Sequence, residues 1–103
     1  MSFTRTAPAG LASVGFQKIT LSNSTAVGLN STLRNARILR ISVETNAARF
    51  REDGTNPTLS TGVLLPAGLV YEWEGFSGTA NLKFQRSTGT SRLNVQGYVP
   101  LHT

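Results

Sequence analysis

No cysteine occurs among the 103 residues, so disulfides and thiolate metal sites are excluded outright. The single histidine, His102, stands beside the last residue, which leaves neither a His-centred triad nor a multi-His metal site to build. Charge is scarce as well. Charged residues make up 15% of the chain, against about 25% in an average soluble protein. Low charge with 39% hydrophobic residues is the opposite of the composition that keeps a chain disordered. No apolar run approaches the roughly 18 residues of a membrane span, and the opening Met-Ser-Phe-Thr-Arg-Thr lacks the apolar stretch of a signal peptide. These absences lead us to expect a soluble protein made in the cytosol, without a membrane partner. They weigh against an enzyme: no catalytic residue, no metal ligand set and no cofactor site is expected.

What is present is basic. Lys+Arg number 10 against 5 Asp+Glu, a formal net charge of +5, and all but Lys18 and Lys83 of the cations are arginines. No two basic residues are adjacent, whereas a dedicated nucleic-acid binder shows a basic stripe on a recognition element. Nucleic acid is therefore not the expected partner. Arginine forks carboxylates and stacks on flat groups, so a scattered set suits a protein interface.

Residues 1–13, rich in Ala, Thr, Gly and Pro, read as an N-terminal arm that orders on a neighbouring subunit, and 14–103 as one domain. From Val14 onward, short β-prone runs alternate with turn signals. Ala36 to Glu44 places Leu39, Ile41 and Val43 on one face and Arg40, Ser42 and Glu44 on the other. Ala48 and Phe50 oppose Arg49 and Arg51, and Asp53-Gly54 supplies a turn. Leu69, Tyr71 and Trp73 alternate with Val70, Glu72 and Glu74; Leu82 and Phe84 oppose Lys83 and Gln85. Leu93, Val95 and Val99 alternate with Asn94, Gln96 and Tyr98 in a last strand. A helical turn over 31–36 is the one competing element. The pattern predicts an all-β fold, a small antiparallel β-sandwich or barrel of about eight short strands with an extended N-terminal arm.

The residues with chemistry are few. Arg49 and Arg51, like Glu72 and Glu74, project at period 2, and on one sheet or on touching subunits the two pairs would interlock. These four are the candidate protein-contact residues. Tyr71 and Trp73 offer an alternative of a different class, a carbohydrate-binding platform, although sharing a face with Leu69 points to a core role. The carboxylates lack calcium-loop spacing, the serines lack a nucleophile elbow, and Gly75 and Gly78 lack a phosphate-loop ending.

Arg49-Phe50-Arg51-Glu52-Asp53-Gly54-Thr55-Asn56-Pro57-Thr58, followed by Thr61-Gly62-Val63-Leu64-Leu65-Pro66-Ala67-Gly68, resembles small β-rich virion proteins of tailed bacteriophages. Their pattern is Arg-aromatic-Arg-Asp-Asp-Gly-Thr-x-Pro-Thr, then a Thr-Gly-apolar run and an Ala-Gly turn; Glu52 replaces the usual Asp, and Leu93-Asn94-Val95 matches their closing strand. The resemblance implies a virion location after assembly in the host cytoplasm, and a head decoration (cement) protein or a tail, baseplate or head–tail connecting component. It also implies the major capsid protein or other virion proteins as partners, and a homo-oligomer, with a trimer suiting local threefold axes.

Overall fold

The computed structural model describes residues 10–75, 79 and 81–100. Eight strands form in chain order: β1 (Leu11–Leu21), β2 (Val27–Gly28), β3 (Ile38–Thr45), β4 (Ala48–Arg51), β5 (Val63–Leu65), β6 (Val70–Glu74), β7 (Lys83–Arg86) and β8 (Ser91–Pro100). They build two four-stranded antiparallel sheets, ordered β1-β8-β3-β6 and β2-β7-β4-β5. The all-β sandwich expected from the alternation is thus the fold.

The apolar face of each strand turns into the space between the sheets. Leu39, Ile41 and Val43 of β3 meet Leu93 and Val95 of β8 and Ile19 and Leu21 of β1, facing Ala48, Phe50 and Phe84 of the second sheet, and all are buried. The rings of Phe50 and Phe84 lie 6.3 Å apart and that of Tyr71 lies 5.9 Å from Phe50, joining the layers through tilted aromatic contacts. A 3₁₀ turn at Ser31–Leu33 takes the place of the longer helical turn and drops Leu33 into the core. Gly97 makes that possible. A Cβ there would sit 2.5 Å from Leu33 Cδ2 and 3.0 Å from the Ala36 methyl, so only glycine lets β8 pass beneath this turn.

Three expectations shift. The β structure begins at Leu11 rather than at Val14: Leu11, Ala12 and Ser13, assigned to the arm, pair with Pro100, Val99 and Tyr98. The register breaks between Ser13 and Gly15, a bulge that hides the alternation. The Gln96 amide holds it, donating to Ser13 Oγ (2.7 Å) and to the Gly15 carbonyl (2.8 Å). In β8 the inward position expected for Val99 is half-buried, while Tyr98, expected outside, is buried under the Arg40 guanidinium, 5.7 Å from the ring centroid. Gln85, also expected outside, is buried, and its side-chain oxygen accepts from the Arg86 N–H. Residues 1–9, the Phe76–Gly78 turn, the Ala80 start of the seventh predicted strand and His102 lie outside the described residues.

Candidate interaction surface

The four candidate contact residues do not come together. Arg49 and Arg51 project from β4 in the second sheet, Glu72 and Glu74 from β6 in the first. Each pair faces away from the core, so the two stand on opposite outer surfaces and cannot interlock within one chain. The two pairs do not share a sheet because β4, flanked by β7 and β5, and β6, at the edge of the other sheet, belong to different layers, which period-2 spacing cannot reveal.

Each arginine has a local task instead. Arg49 Nε donates to the Leu59 carbonyl (3.1 Å) and its Nη1 to the Gly62 carbonyl (3.0 Å), fastening the 57–62 connection against β4. Pro57 is buried under that connection, and the Thr58 hydroxyl accepts from the Thr61 N–H (3.0 Å) to close it. Arg51 grips Asp53 with two hydrogen bonds, 3.1 Å from Nε to Oδ1 and 2.5 Å from Nη2 to Oδ2. Asp53 Oδ1 also accepts the Thr55 N–H (3.1 Å), so the Asp-Gly turn is tied on both sides, with Gly54 at φ +84° as such turns require. The Arg51 hydrogen bonds, then that from Thr55, hold the Asp53 carboxyl below the usual aspartate range, and the same contact raises the Arg51 guanidinium.

On the opposite surface Glu72 accepts from Arg40 Nη2 at 2.9 Å. The cross-strand row Phe16–Gln96–Arg40–Glu72 runs over all four strands, with Lys18–Asn94–Ser42–Val70 beside it. Phe16 and Val70 flank a shallow trough of about 760 Å³ on this face. Sequence reasoning missed the pair: Val70 alternates with acidic residues and reads as a solvated position, and the β1 bulge obscures Phe16. Glu74, exposed, ends β6.

Tyr71 and Trp73 face inward, half-buried and packed on the core rather than laid out as a platform. The Trp73 indole N–H donates to Glu52 Oε2 at 2.5 Å, linking the first sheet to the end of β4. A second cleft opens there at the seam between the sheets, about 440 Å³ in volume, lined by Phe50, Val63 and Tyr71 together with Arg51, Glu52 and Asp53. Among the described residues no group of three or more His, Asp or Glu side chains is placed to hold a metal ion, and no helix is long and apolar enough to cross a membrane. Comparison with protein-family models, with curated proteins and with solved structures finds no match for this chain.

Proposed function

We propose that this chain is a structural protein of a tailed-bacteriophage virion, a head decoration protein that binds the capsid lattice and acts without catalysis. The observation that carries the reading is the use made of residues 49–68, the segment with the virion-protein pattern. Four of its distinctive residues support outward loops, while Phe50 seats the segment in the core: Arg49 clamps the 57–62 connection, Arg51 and Asp53 lock the Asp-Gly turn, and Pro57 anchors the base. A motif devoted to shaping surface loops suits a protein recognised by shape on a repeating lattice.

The mechanism is linkage. A subunit that binds assembled capsid and not separated shell proteins adds RT ln(1 + [L]/Kd) of stability per site, about 2.7 kcal/mol at a concentration one hundred times Kd. Repetition over the lattice multiplies that gain. A net charge of +5 favours docking on an acidic shell through complementary fields.

Copy number in purified particles tests the reading. Copies on the order of hundreds per particle are expected. A dozen or fewer would point to a tail, baseplate or head–tail connecting component, and absence from particles would overturn both. A glycan array is the control for the other class: retention lost with Trp73→Ala would assign sugar recognition instead.

A further inference from the structure

Each sheet ends in two edge strands, and three of the four carry a guard against pairing with another chain. Strand β1 has the Ser13/Gly15 bulge and Lys18, β6 has Glu72 and Glu74, and β2 is only two residues long. Strand β5 has neither charge nor bulge. Val63–Leu65 is wholly apolar, and among the described residues its one ladder partner is β4.

Both faces of that edge are apolar and open. Val63 stands opposite Phe50 and so on the inner face, Leu64 opposite Arg49 on the outer one, and they are 54% and 46% exposed. Leu59, 40% exposed, lies on the outer face with Leu64, because Arg49 holds its carbonyl. Phe16 and Val70, the other large apolar side chains exposed among the described residues, stand on opposite edge strands of the first sheet. The β5 edge is where such side chains gather.

The charge distribution indicates what covers it. Two copies of a chain carrying +5 repel wherever their basic surfaces meet. Residues 54–71 contain no Asp, Glu, Lys or Arg, the longest uncharged run in the sequence. The adjacent Arg49 spends two of its donors on the Leu59 and Gly62 carbonyls of its own chain. Identical copies therefore meet along this edge without setting like charges against each other, and no charge on it selects an acidic or a basic partner.

We propose that β5 pairs antiparallel with β5 of a second copy, about a two-fold axis at Leu64, joining two β2-β7-β4-β5 sheets into one. An antiparallel pair of identical strands is self-complementary, as a two-fold contact requires. Centring it on Leu64 uses the whole strand: Leu64 faces its own counterpart, and Val63 faces Leu65 of the partner subunit. Leu59 and Leu64 of both copies then close into one outer apolar cluster, and Val63 is covered beside the seam cleft it lines. The contact is small, below the roughly 800 Å² per partner of a standard interface. Association is accordingly weak, with a Kd on the order of 0.1–1 mM. Copies held side by side on a larger assembly pair more readily, at effective concentrations of about that size. The proposal goes beyond the virion reading and stands without it.

The chain has no cysteine, so one introduced thiol reports without background. Under oxidation Leu64→Cys should give a covalent dimer, since directly opposed residues of an antiparallel pair stand within disulfide reach. Val70→Cys, as exposed but on β6, is the control and should stay largely monomeric. Sedimentation equilibrium up to about 1 mM should show a monomer–dimer equilibrium for the unaltered chain. Leu64→Lys, which sets two like charges on the axis, should weaken it about tenfold or more with the thermal transition unchanged. A chain monomeric throughout, a dimer that persists in Leu64→Lys, or equal cross-linking of the two cysteine variants would each overturn the proposal. So would a monomeric chain whose Leu64→Lys variant no longer binds capsids, which would assign the edge to the shell protein. The virion reading fails separately, by absence of the chain from particles whatever its self-association.

Discussion

Arg34, Arg40, Arg49, Arg51 and Arg86 each close on an acceptor of their own chain: the Leu29, Leu59, Gly62 and Asn23 carbonyls, Glu72 or Asp53. Much of the arginine content thus shapes loops and fixes register rather than facing a partner. The Asp53 turn has a pH signature. Its folded carboxyl titrates below the unfolded value of about 3.9. The turn's contribution is therefore complete above that value and is lost as pH falls through the lower folded one. An NMR titration should place the Asp53 midpoint below 3.9, and Arg51→Gln should move it up; a midpoint indifferent to that substitution would contradict the assigned cause. Removing the Arg49 clamp by Arg49→Ala should cost about 1–3 kcal/mol in urea unfolding and speed proteolysis within 57–62. Gly97→Ala, which sets a methyl against Leu33 and Ala36, should cost about 1–3 kcal/mol by overpacking.

At the level of elements, the corner between β3 and β4 carries the chain from one sheet to the other, and Asn46 makes it. Its φ of 58° is left-handed, and its side-chain amide donates to the Thr90 carbonyl at 2.8 Å, tying the corner to the β7–β8 turn. Asn46→Gly should lose mainly the hydrogen bond, whereas Asn46→Val should lose more, about 2 kcal/mol or above, because a β-branched residue resists that backbone; chemical unfolding of the two variants compares them. Strands β3, β4 and β6 were legible in the sequence because each has one face on the core and one on solvent, so burial writes its alternation directly. Strand β1 was less legible, since its bulge interrupts the period and its partner is some eighty residues away. Buried Gln85 and Tyr98 were illegible for a related reason: neighbours from other strands cover them, and strand order is not written in local pattern. The same limit hid the separation of Arg49 and Arg51 from Glu72 and Glu74. Residue types and faces were right, but which layer held each pair was a tertiary fact. The seam cleft could not be foreseen either, because it arises where two edge strands of different sheets fail to meet.

For the whole molecule, the net charge of +5 predicts that, under the proposed virion function, docking on an acidic shell slows as salt rises, with a smaller change in off-rate. Surface-plasmon measurements over a salt series would separate the two, and a salt-independent on-rate would remove charge steering from the mechanism. The topology sets a further constraint. Strand β8 lies between β1 and β3, binding the first strand of the chain to its middle. During synthesis, the place between β1 and β3 therefore stays empty until β8 leaves the ribosome. The first sheet closes in one late step, and a chain halted near residue 90 displays two strands with unpaired, apolar-faced edges, which a holding chaperone or a protease would find first.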